Sequence, residues 1–109
     1  MTTGRAFGIV REDISRTLTS THVRQLGELA AARRLELFDE VLVAANSARF
    51  GQLLATFPDG GIETLLIPSL LHLSDGWVDV TRRQADIWTL DPLKRWPRVR
   101  VPMTRTIAG

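Results

Sequence analysis

The chain has 109 residues, 44% of them hydrophobic and 24% charged, enough for one domain with a single core and too apolar for a disordered segment. It has no cysteine, which removes disulfides and thiolate chemistry together and fits a cytoplasmic setting. No apolar run approaches the roughly 18 residues that cross a bilayer, and no export-signal pattern opens the chain. The formal charge of +2 is uneven: residues 1–91 carry nine basic and twelve acidic side chains, residues 92–109 five basic and no acidic ones.

In chain order, Ala6-Phe7-Gly8-Ile9-Val10 has the length of a buried strand and closes on Arg11-Glu12-Asp13. From Ser20 to Arg34, Val23, Leu26, Leu29 and Ala30 recur at helical spacing, with Ser20 or Thr21 as N-cap. Leu35 to Val43 returns to strand character. Phe50, Leu53, Leu54 and Phe57 form the stripe of a short helix begun near Asn46 or Ser47 and stopped by Pro58-Asp59-Gly60-Gly61. Ile62 to Ile67 is a third strand, followed by a loop over 68–75. A weaker helix spans Trp77 to Gln84, and a fourth strand Asp86 to Leu90.

Alternation of this kind predicts an α/β domain over residues 1–91: a three-layer, open, mostly parallel four-stranded sheet with right-handed crossover helices on its faces. In such sheets ligands sit outside the carboxyl ends of the strands, where strand order reverses. With the first and third strands adjacent, Arg11-Glu12-Asp13 and Ser69-Leu70-Leu71-His72-Leu73-Ser74-Asp75 face each other across one crevice.

Ala6 to Arg11, the helix with Gln25-Leu26, the segment Arg49-Phe50-Gly51-Gln52-Leu53-Leu54 and the segment Ile67-Pro68-Ser69-Leu70 through Leu73-Ser74 together resemble the catalytic domain of serine recombinases, the resolvases and invertases. The likeness covers roughly residues 6–91. It implies the resolvase-like version of the α/β sheet. It also places the family's first arginine at Arg11, its nucleophilic serine at Asp13 and a second arginine at Arg49. The two phosphate-holding arginines after the third strand fall at His72 and Asp75, and the aspartate that precedes them at Leu71. The family's long dimerisation helix and DNA-binding extension have no counterpart, so a helix-mediated dimer is not expected.

These departures point one way. Phosphoryl transfer requires preorganised positive charge around the equatorial oxygens, and Asp13 and Asp75 put carboxylates there instead. A phosphodiester should be repelled. Arg11 and Arg49 are expected to pair with Glu12, Asp13 or Asp75 and brace the crevice. Ser15 reads as a solvated or capping serine without an evident base, His72 as a hydrogen-bonded loop residue and His22 as exposed. Trp77 and Trp88 read as packing residues, with Trp77 at the crevice rim suited to a partner.

The leading expectation is therefore a catalytically inactive domain with no cofactor, acting as an interaction module for a protein partner. The alternative is a metal- or phosphate-dependent activity at Glu12, Asp13 and Asp75, an oxygen-rich set of the kind Mg²⁺ prefers. The basic segment 92–109 interleaves Lys94, Arg95, Arg98 and Arg100 with Trp96 and prolines. It reads either as an extended strip along nucleic-acid phosphates or as a segment pinned to the domain by Trp96 with solvated cations.

Overall fold

A computed structural model describes residues 4–74 and 76–99. They form a mixed sheet with helices on both faces. Its order is β2-β1-β4-β5-β6, with β3 also on β1. The strands are β1 (Arg5–Arg11), β2 (Glu36–Leu37), β3 (Leu42–Ala44), β4 (Ile62–Ile67), β5 (Asp86–Leu90) and β6 (Leu93–Trp96). The helices are α1 (Glu12–Ser15), α2 (Thr19–Ala32), α3 (Phe50–Ala55), α4 (Phe57–Gly60) and α5 (Trp77–Arg82). Among these residues no helix is long and apolar enough to cross a membrane.

The centre follows from two strands that are apolar at consecutive positions. β1 and β4 pair in parallel, Ala6 with Thr64, Phe7 with Leu65 and Gly8 with Leu66, as expected for the first and third strand-like segments. Strands covered on both faces need apolar side chains on both. Ala6, Val10 and Leu66 pack under α2 through Leu26, Leu29 and Ala30. Ile9, Leu65, Ile67 and Ile87 pack against Phe50, Leu54 and Phe57 of α3 and α4, with Trp77 and Val78 of α5 alongside.

The sheet differs from the expected four strands in two places. The segment 35–43 is split: Glu36–Leu37 and Leu42–Ala44 both pair in parallel with β1, with a break between them. The chain leaves the sheet there because Asp39 adopts the left-handed region, φ 64°, which no strand tolerates. Val41 returns over β1, and Gly8 leaves room for it: a Cβ at Gly8 would lie 3.0 Å from Val41 Cγ2.

The second difference is β6. Residues 93–96 turn back on β5 in antiparallel register, Trp88 opposite Arg95 and Thr89 opposite Lys94, so the sheet is mixed and six-stranded. Pro92 falls in the connecting turn, where no ladder N–H is required, and an edge strand accommodates Lys94 and Arg95. The Trp96 indole N–H donates to Thr89 Oγ1 at 3.2 Å, and that hydroxyl donates to the Pro92 carbonyl at 2.5 Å. Trp96 does pin the segment.

Helix α2 lacks the expected Ser20 or Thr21 cap. A 3-10 turn over Arg16–Leu18 runs straight into it, and the Thr19 hydroxyl donates back to the Arg16 carbonyl at 2.7 Å. At its other end Arg34 takes φ 55° and the Leu35 N–H reaches the Ala30 carbonyl at 2.9 Å. That is the six-to-one closure which ends a helix and redirects the chain into a strand.

Phe57 joins α4 to the sheet. It is 1% exposed, with its ring centroid 5.9 Å from that of Phe7. Phe57→Ala should lower the unfolding free energy by about 3–5 kcal/mol, read as a lower urea midpoint with an unchanged denaturant slope.

Candidate functional site at the carboxyl ends of β1 and β4

Chain order reverses between β1 and β4: from β1 the chain passes to β2 and β3 on one side, then returns to β4 on the other. The loops leaving these two strands, residues 12–18 and 68–74, therefore border a common crevice, the place where an open α/β sheet presents its backbone ends to a ligand.

Arg11, the last residue of β1, is 5% exposed. A cation this far out of water needs a partner, and Asp13, two residues on in α1, supplies it. Nε donates to Asp13 Oδ1 at 3.0 Å and Nη2 to Oδ2 at 2.6 Å. The planar fork matches both carboxylate oxygens. Nη1 donates to Ser74 Oγ at 3.3 Å, tying the first loop to the second. These hydrogen bonds to Arg11, ahead of its charge, hold the Asp13 carboxyl below its ordinary pKa.

Beside this pair lies a chain of hydrogen bonds that the sequence reading did not anticipate. The Arg11 backbone N–H donates to His72 Nδ1 at 3.0 Å. Since Nδ1 accepts, the proton of the neutral ring sits on Nε2, which faces Ser15 Oγ at 3.4 Å. Ser15 Oγ therefore receives from His72, and it shares a second hydrogen bond with His22 Nδ1, 2.7 Å away. His72 is 1% exposed and Ser15 5%. Burial, followed by the charges of His22 and Arg11, lowers the His72 pKa from 6.5 to about 4.

Three expectations are corrected here. Ser15 is neither solvated nor a cap: it is buried at the end of α1, where the following Arg16 is held at φ 50°. His22 is half-buried rather than exposed, because the turn at 16–18 swings the start of α2 back over Ser15. Arg49 does not brace the crevice. It is exposed at the start of α3, its side chain makes no ion pair or hydrogen bond among the described residues, and it lines a depression with Leu42, Ala44 and Phe50.

Of the remaining positions, Glu12 is exposed and Asp75 lies outside the described residues. Among the described residues no three His, Asp or Glu side chains converge as a metal-ligand set. Leu71 is 64% exposed and Leu18 53%, one on each crevice loop. Trp77 is half-buried, packing edge-on to Phe50 at 5.9 Å. In the basic segment, Lys94 stands over the Trp96 ring at 4.0 Å, and Arg95 pairs with Asp86 at 3.0 Å. The Arg98 backbone N–H donates to the same carboxylate at 2.6 Å. Arg100 lies outside the described residues.

The relay carries a pH signature. His72 is neutral in the folded chain until about pH 4 but protonates near 6.5 once unfolded, so the unfolded state binds the extra proton between those values. The associated stability, up to about 3 kcal/mol, is whole above pH 6.5 and is lost as pH falls to 4. Urea unfolding at a series of pH values should show this slope in the native chain and its disappearance in His72→Gln.

No protein-family model, no curated protein and no solved structure matches this chain.

Proposed function

We propose that this chain is a non-catalytic interaction domain on a serine recombinase-like frame, with its crevice loops turned toward a protein partner. The observation that carries the reading is the fork of the buried Arg11 guanidinium on Asp13, at 3.0 and 2.6 Å. The arginine that would hold a phosphate is already neutralised, and an incoming phosphodiester would have to displace a bidentate carboxylate or stand beside it. Where the resemblance calls for another phosphate-holding arginine, His72 is buried and neutral with one ring nitrogen committed to a backbone amide. It offers no positive charge.

A protein partner accords with the exposure of Leu18 and Leu71, one on each crevice loop. Apolar side chains on convergent loops favour an apolar contact surface. Nucleic acid is less well served, because Lys94 and Arg95 of the basic segment are engaged by Trp96 and Asp86.

The deciding experiment is incubation of the purified chain with supercoiled DNA, followed by denaturing electrophoresis. The expected result is neither a strand break nor a covalent protein–DNA adduct; either product sinks the reading. A second measurement isolates the arginine. Asp13→Asn removes the carboxylate that forks onto Arg11, so sulfate at matched ionic strength should raise the melting temperature of the variant by several degrees more than that of the native chain.

A further inference from the structure

The two edges of the sheet are not alike. β6 exposes Lys94 and Arg95, the kind of charged edge that blocks strand addition. On the opposite side β3 pairs only with β1, and it carries Leu42 and Val43 at 41% and 42% exposure. Beside it is a depression of about 410 Å³ lined by Leu42, Ala44, Ala45, Ala48, Arg49 and Phe50. This apolar edge is framed by charge. Asp39 and Glu40 precede it and Arg49 follows it, all exposed, and none of the three side chains has an ion-pair or hydrogen-bond partner among the described residues.

A segment that is acidic before its strand, apolar within it and cationic after it, at the start of α3, is complementary to itself under a two-fold rotation. Antiparallel pairing brings the acidic end of one copy to the cationic end of the other, and does so twice. Parallel pairing would set like charges together. We propose that two copies of this chain associate through β3, antiparallel, so that Leu42 and Val43 of each bury those of the other while Asp39 and Glu40 face the second copy's Arg49. The pairing satisfies the outward backbone groups of a short strand, places apolar side chains against the depression beside Arg49, and closes on itself rather than growing into a filament. It rests on the reading of the chain as an interaction domain and assigns one of its partners as a second copy.

Sedimentation velocity on the full chain over a concentration series tests this. The native protein is expected to show a concentration-dependent dimer. Val43→Lys should yield monomer with unchanged far-UV circular dichroism and melting temperature. Arg49→Glu should weaken association by about tenfold through repulsion from Glu40, and Glu40→Arg with Arg49→Glu should restore it. A native chain that stays monomeric at the highest concentration overturns the proposal, as does a dimer indifferent to Val43→Lys. A dimer that the charge swap fails to restore overturns the antiparallel register. Strand breakage of DNA would remove the non-catalytic reading without altering any of these sedimentation results, so the two failures are distinguishable.

Discussion

A guanidinium at the carboxyl end of the central strand, 5% exposed, sets the terms for everything around it. Leaving such a charge without a counter-ion in a low-dielectric pocket would cost several kcal/mol, so the loops on either side must answer it. Asp13 does so with both carboxylate oxygens, and Ser74 accepts a further hydrogen. The same residue's backbone N–H fixes the tautomer of His72 and with it the direction of the bond to Ser15, which is hydrogen-bonded in turn to His22. One arginine thus joins β1, α1, the start of α2 and the loop after β4.

That junction has a chemical consequence. The crevice is rich in polar groups, yet each of the central ones is already committed to another protein group. A site preorganised for a reacting anion keeps its donors aimed at the place where charge develops. Here the donors are aimed at Asp13. The buried imidazole is likewise held as a neutral acceptor and donor within a relay. These bonds brace β1, α1 and the loop after β4 against one another.

Much of the frame was legible along the chain because burial on both sides of a parallel strand requires consecutive apolar residues. Ile62 to Ile67 and Ala6 to Val10 carry that mark, whereas their adjacency is supplied by the parallel pairing of β1 with β4. The stripe Leu26, Leu29, Ala30 likewise announces α2 and the side it buries. Strand β6 was obscured because an edge strand keeps lysine, arginine and flanking prolines that read equally well as a tail. The break at Asp39 was hidden because the apolar residues on either side, Leu35 and Leu37 before it and Val41, Leu42 and Val43 after it, read as one strand. An ion pair of Arg11 was expected with Glu12, Asp13 or Asp75, and the fold selects Asp13, whereas Arg49 was misjudged, since its partner would have had to come from a distant loop.

Ser15 and His22 mark the boundary most clearly. Seven residues apart, with a polar stretch between them, they carry no periodicity that joins them. Only the turn at Arg16–Leu18 folds the start of α2 back over α1, and only β4 delivers His72 to the same spot from 57 residues away. The amino-acid order by itself determined the alternating elements and the apolar faces, because these depend on spacing along the chain. Which polar groups meet, which tautomer they hold, which edge stays open and which cation is neutralised were decided only by the tertiary structure. Those outcomes depend on distances of about 3 Å between segments that the chain keeps far apart.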